Sequence, residues 1–298
     1  MKTKQQAILL MIASAFCFAL MNACVRLAGD LPSVEKSFFR NLVAFFFALI
    51  LMAKHRTPFR VEKGNWGWML LRAGFGTLGI LCNFYAVDHL LLADASMLNK
   101  MSPFFAVVCS VFLLKEKLRL WQGILVGAAF AGSLLVIKPD FTSLGSFPAL
   151  VGLLGGLSAG IAYTMVRKLG QRGQNGASIV LFFSGFSCLV TLPWLIFDFV
   201  PMSLPQLLWL LGAGLAAAGG QFTITAAYLR APAREISVYD YSQILFASGL
   251  GFLLFGQVPD LWSGAGYAVI VGAAVALFWY NNYYLPQKPL PRGQKQQK

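Results

Sequence analysis

Residues 93–119 read ADASMLNKMSPFFAVVCSVFLLKEKLR. The stretch 93–114 is as long as one bilayer crossing, which takes roughly 20 mostly apolar residues. Its polar members Ser96, Asn99, Lys100 and Pro103 recur every three or four residues and so share one helix face. Three basic residues follow at once, Lys115, Lys117 and Arg119. The stretch therefore predicts a membrane-spanning helix with one polar stripe, delivering the chain into a basic loop.

The same alternation runs through all 298 residues, of which 58% are apolar and only 12% charged, with a mean hydropathy of +0.68. Soluble domains carry about 25% charged residues, so this chain lacks the charge to coat a water-facing surface. Apolar windows at 6–27, 33–53, 66–87, 93–114, 120–137, 147–166, 178–197, 207–229, 236–255 and 261–280 predict ten spans.

The net charge of +13 is distributed by loop. With the N-terminus inside, the cytoplasmic segments hold Lys2 and Lys4; Lys54, Arg56, Arg60 and Lys63; Lys115, Lys117 and Arg119; Arg167, Lys168 and Arg172; Arg230 and Arg234; and Lys288, Arg292, Lys295 and Lys298. The other side holds Arg26, Lys36 and Lys138 with most of the acids, among them Asp30, Glu35, Asp140, Asp198 and Asp260. Such a bias places both termini in the cytoplasm of a multi-pass inner-membrane protein. It also accounts for the basic charge without nucleic acid, which would need a clustered basic patch on a soluble surface.

The start, 1–27, is longer than a signal-peptide apolar region and reads as a retained first helix. The five cysteines, Cys17, Cys24, Cys82, Cys109 and Cys188, all fall inside spans without CxxC spacing and read as packing residues. His55 and His89 lie on opposite sides, so no metal centre and no cofactor is expected.

Sliding the chain against itself by 141 residues superposes Val25 on Val166, Arg26 on Arg167, Gly29 on Gly170, Ser96 on Ser237, Phe105 on Phe246, Trp121 on Trp262 and Gly123 on Gly264. Five spans per half is an odd number, so the second half enters from the opposite side. Inverted repeats of this kind mark secondary transporters with a midplane site. The halves are 1–140 and 141–283, followed by a basic disordered cytoplasmic tail, 284–298.

The run NFYAV at 83–87, ADAS at 93–96, Ser102-Pro103-Phe104, the loop LKEKL at 114–118 and the glycine-rich fifth helix resemble an EamA-type repeat of the drug/metabolite transporter superfamily. The resemblance implies an all-α integral membrane fold of ten helices in two inverted five-helix repeats, no nucleotide hydrolysis, and export or exchange of small metabolites such as amino acids. Two positions break the internal match: Glu116 pairs with Gln257, and Pro103, expected to kink the fourth helix, pairs with Ile244. Strict functional symmetry is therefore not expected.

A charge at mid-bilayer is costly and marks a partner, water or a role. Three candidates stand out, Arg40, Lys100 and Asp240; of Lys100 and Asp240, the second is the proton-coupling candidate. Counted as depth along straight helices Lys100 and Asp240 lie roughly 12 Å apart, which predicts two separate contacts at the ends of one cavity. Asn22, Asn83, Ser96, Asn99, Tyr163, Gln221, Thr225, Ser237 and Tyr241 complete the predicted substrate-binding set, suited to a small polar or zwitterionic solute. Arg40 and Pro103 are assigned structural or gating roles. Arg40 is read as snorkelling outward or pairing with Glu35 or an acid of the third-to-fourth loop, Arg72 as snorkelling to the inner headgroups, and Tyr228, at the end of the polar stripe on the eighth helix, as an interface anchor instead.

Glycines in the fifth and tenth helices predict close helix packing, within a monomer or in a homodimer through those helices. The expected function is a secondary transporter of a small polar metabolite working by alternating access. A passive channel and an integral-membrane enzyme on a lipid-linked substrate are the alternatives. The enzyme is disfavoured because no HExxH or GxxxxGK[ST] motif is present and only two histidines, His55 and His89, could serve as a base.

Overall fold

In a lipid environment every backbone N–H and C=O must be satisfied within the protein, which limits a chain this apolar to helices or a closed barrel. The computed structural model, which describes residues 2–90, 92–138, 146–256 and 258–284, is built from helices. They are α1 (Lys2–Leu27), α2 (Ser33–Lys54), α3 (Trp66–His89), α4 (Leu92–Asn99), α5 (Ser102–Leu114), α6 (Leu120–Ile137), α7 (Phe147–Gln171), α8 (Gly176–Phe197), α9 (Leu204–Arg230), α10 (Ala233–Asp240), α11 (Ser242–Phe255) and α12 (Leu261–Trp279). A π-helical turn, Tyr280–Tyr284, extends α12. Among the described residues ten segments are long and apolar enough to span a membrane, with α4–α5 and α10–α11 forming one span each. Gln257, Asp140 and the tail beyond Tyr284 lie outside the described residues.

Large apolar side chains face outward, among them Leu9, Phe112, Leu189, Phe197, Leu253 and Leu261. Serine and threonine side chains such as Ser14, Ser158, Thr164 and Ser184 are buried between helices instead. That inversion of the soluble pattern is what a hydrocarbon solvent selects. The basic loops gather at one end. There Arg172 Nε donates to Asn65 Oδ1 (2.6 Å), Gln174 Nε2 donates to the Arg60 carbonyl (2.7 Å), and Lys4 pairs with Glu235 (3.0 Å). We call this the basic end. At the opposite end Lys138 pairs with Asp260, and the Val200 N–H donates to Glu35 (3.4 Å).

Spans four and nine are both interrupted, at Lys100–Met101 and at Tyr241. Pro103 does not kink a continuous helix, as the sequence predicted. It sits in the first turn of α5, where its missing N–H costs nothing, and the chain breaks before it. Span nine breaks at the matching place without a proline. The Ser242 hydroxyl donates to the Tyr239 carbonyl (2.6 Å), a side-chain bond that competes with the helical ladder.

Packing is tightest where glycines let backbones touch. A Cβ on Gly132 would lie 3.0 Å from the Gly266 carbonyl, joining α6 to α12. Gly79 and Gly155 do the same between α3 and α7, at 3.2–3.3 Å. α1 packs on α9, α3 on α7 and α2 on α8. These six helices surround the middle of the molecule, while α6 and α12 pair beside it.

Candidate functional site

α2 and α3 run in opposite directions, and each carries an arginine about seven residues in from its own start. At 1.5 Å per residue both reach roughly 10 Å into a ~30 Å core, too deep for a simple return to the headgroups. The structure places Arg40 and Arg72 on one central cavity of about 160 Å³. Phe18, Met21 and Asn22 of α1 line it, as do Asn83 of α3, Asn99 and Lys100 at the first break, Tyr163 of α7, Phe183 of α8, Gln221 of α9, and Asp240 and Gln243 at the second break.

Both breaks deliver charge to this space. Lys100 Nζ lies 3.3 Å from Asp240 Oδ2 and donates to Gln243 Oε1 at 2.6 Å. Lys100 and Asp240 are 9% and 7% exposed, so water screens the pair little. The expected separation of roughly 12 Å is thus wrong. It assumed straight helices, whereas both helices end where these side chains project, and the extended lysine stem spans the remainder.

The guanidinium groups are held differently. Arg72 is 2% exposed, and its guanidinium lies over the Phe183 ring at 4.1 Å from the centroid. Gly76, one turn further along α3, leaves the space that the guanidinium occupies, since a Cβ there would collide with Arg72 Nη1. Arg40 lies 5.9 Å from the Phe18 ring centroid. Nε of each arginine is buried with no hydrogen-bond partner among the described residues. Neither arginine snorkels, which corrects both expectations, and Arg40 is not paired with Glu35, whose Oε2 accepts from Val200.

Of the predicted binding residues, Asn22, Asn83, Asn99, Lys100, Tyr163, Gln221 and Asp240 line the cavity. Ser96, Thr225, Ser237 and Tyr241 do not. Thr225 is buried and accepts a hydrogen bond from Gln221 Nε2 (3.4 Å), so it positions a lining residue. The helix stops at Asp240, which turns Tyr241 out of the stripe and into the apolar core, fully buried. Ser237, one turn earlier, is fully buried as well. Asn99 Nδ2 donates to Asn83 Oδ1 (2.8 Å), fixing two lining amides.

Sequence reasoning missed Arg72, Gln243, Phe18 and Phe183 as lining residues. Depth counting would have flagged Arg72 as surely as Arg40; the aromatic residues carried no signal beyond ordinary hydrophobicity. Tyr228 is no interface anchor: it is 1% exposed and stacks on Tyr163, ring centroids 5.1 Å apart and planes 10° from parallel. Nearer the basic end, Arg167 pairs with Glu116 (3.4 Å) and donates to the carbonyl of Leu229 (3.2 Å), tying α7 to the ends of α5 and α9.

Comparison with known proteins agrees with this architecture. Residues 5–138 match the model of the EamA-like transporter family. The chain is 34% identical to the pseudopaline exporter CntI of Pseudomonas aeruginosa over 275 residues, 92% of this chain and 96% of that one. It is 27% identical to solute carrier family 35 member G1 of Homo sapiens, over 91% of this chain and 79% of the relative. A riboflavin transporter of Brucella anthropi is 26% identical, over 90% and 96%. A solved crystal structure superposes with a TM-score of 0.79 at 15% identity, covering 95% of this chain and 99% of its own, which speaks for the fold alone. The chain therefore belongs to the EamA-like transporter family, and it is a multi-pass membrane transporter rather than an enzyme.

Proposed function

We propose that the protein is a secondary transporter that exports or exchanges a small polar metabolite across the cytoplasmic membrane by alternating access, with both termini in the cytoplasm. The observation that carries this reading is the meeting of Lys100 and Asp240, each at the end of a broken helix, on one polar cavity between the halves. Broken helices at a central site are where transporters expose backbone and charge to solute.

An inverted repeat of 1–140 and 141–283 is supported by the element pattern. α4 and α10 differ in numbering by 141 at both ends, and α6 and α12 begin 141 apart. Lys115 and Gly256, also 141 apart, both adopt left-handed backbone and end α5 and α11. The contacts exchange in the same way: α1 packs on α9 as α7 packs on α3, and α5 packs on α7 as α11 packs on α1.

The Tyr163–Tyr228 stack and the Arg167–Glu116 pair separate the cavity from the basic end. We read them as a closed inner gate. Asp240 is the proton-coupling candidate, as the acid that lines the cavity. The relative that exports pseudopaline supports an export direction.

Counterflow tests this reading. Purified protein in liposomes preloaded with unlabelled amino acids, nucleosides or sugars should accumulate the labelled form of its substrate transiently and saturably. Flux that rises linearly with concentration and shows no trans-stimulation would indicate a channel instead.

A further inference from the structure

The cavity holds three cationic side chains, Arg40, Arg72 and Lys100, against one acid, Asp240. Asp240 is engaged by Lys100. Other acids are committed elsewhere: Glu116 to Arg167, Glu235 to Lys4 and Asp260 to Lys138. Among the described residues neither arginine has an ion-pair partner, and Nε of each is a buried donor with nothing to donate to.

A guanidinium carries five donors in a planar fork that matches an oxyanion in bidentate fashion. Its aromatic contacts, Phe18 under Arg40 and Phe183 under Arg72, occupy one face and leave the edge of the fork free. Gly76 keeps the Arg72 head in place, since any side chain there would displace it. Uncompensated charge inside a membrane bundle is costly and persists where it has a function. A solute bearing two negative charges would bring the loaded site to neutrality, while a monoanion would leave one guanidinium unanswered.

We propose that Arg40 and Arg72 are the two anion-binding forks of the substrate site and that the transported solute is a small organic dianion, bearing either two carboxylates or a phosphate monoester. Lys100 and Asp240 cancel in this count, and the amides of Asn22, Asn83 and Gln221 supply the neutral contacts. The inference rests on the transporter reading above and adds the chemical class of its cargo.

The test uses the whole protein in sealed liposomes loaded with the ultrafiltered small-molecule fraction of a bacterial lysate. Mass spectrometry follows which solutes leave, against protein-free liposomes. The expected result is selective release of compounds with two negative charges, and their structures tell dicarboxylates from phosphate monoesters. Release of neutral, cationic or singly charged solutes at the same rate would overturn the dianion assignment while leaving the transporter reading intact. No protein-dependent release at all would overturn both. For a released dianion, Arg40→Gln and Arg72→Gln should each cut the rate about 10-fold or more, the loss of one charged hydrogen-bonded contact. Gly76→Ala, which displaces the Arg72 head without removing it, should lower the rate several-fold and serves where Arg72→Gln fails to fold. Unchanged rates in a folded Arg40→Gln or in Gly76→Ala would refute the proposal.

Discussion

Lys100 Nζ stands 3.3 Å from Asp240 Oδ2, where two spans of opposite direction are both interrupted. Removing one member of a buried pair strands the other charge, at a cost on the order of 3 kcal/mol. Lys100→Met and Asp240→Asn should therefore each lower the melting temperature of detergent-purified protein, and the double variant should recover it. Because the pair also exchanges partners with solute or proton in this account, the double variant should remain inactive in counterflow. Recovery of transport together with stability would reduce the pair to a strut.

A milder change tests the arginine cradle. Gly76→Ala adds one methyl group against the far end of Arg72 and against the Phe183 ring, 2.7 Å from its edge. The flexible arginine head moves first, so the loss should fall on solute affinity more than on stability. The expected signature is an apparent KM raised several-fold with a melting temperature close to that of the unsubstituted protein. A large drop in melting temperature with unaltered KM would show that the cradle serves packing only.

Gly132 and Gly266 make a different kind of contact. Their backbones touch, so Gly132→Val has no flexible neighbour to push aside and should cost about 2 kcal/mol, as overpacking does. Gly127→Val, on the same helix but with open space around its Cβ, serves as the control and should be nearly silent. Equal melting temperatures for the two variants would contradict the close approach of α6 to α12.

Much of this architecture was legible in the residues. Spans must be long and apolar, and their charges are rare enough to notice, so ten crossings, Lys100 and Asp240 stood out. The distance between those two did not, because counting residues along straight helices cannot anticipate two breaks. The break at Tyr241 was hidden as well, because no proline marks it and the Ser242 hydroxyl bond to the Tyr239 carbonyl is one that serines of unbroken helices, such as Ser133, also make. Arg72 was misread because its inward course depends on Gly76 of its own helix and Phe183 of another. Such pairings across helices carry no local pattern.

At the surface opposite the basic end, the Lys138 ammonium, followed by the Ser263 backbone and hydroxyl, holds the Asp260 carboxyl down at about 2 from an ordinary 3.8. A depressed carboxylate stabilises the fold at any pH above its unfolded value and loses that contribution as pH falls toward the folded one. The gain from Asp260 should thus be constant from pH 8 to about 4 and fade between about 4 and 2. The melting-temperature difference between the parent protein and Asp260→Asn, measured across this range, should be flat above pH 5 and shrink only in acid. A difference that changed between pH 6 and 8 would point to another group.

Under alternating access one cavity serves both sides of the membrane in turn. Ala162 lines that cavity and is 2% exposed. Ala162→Cys, in a protein whose native cysteines are replaced, can be challenged with an impermeant thiol reagent in right-side-out and in inverted vesicles, with Arg172→Cys as the marker of the basic end. Alternating access predicts that Ala162→Cys reacts from either side, and that adding Glu116→Gln, which frees Arg167, raises the rate from the basic end relative to the other. Reaction from one side only, unchanged by Glu116→Gln, would contradict the account.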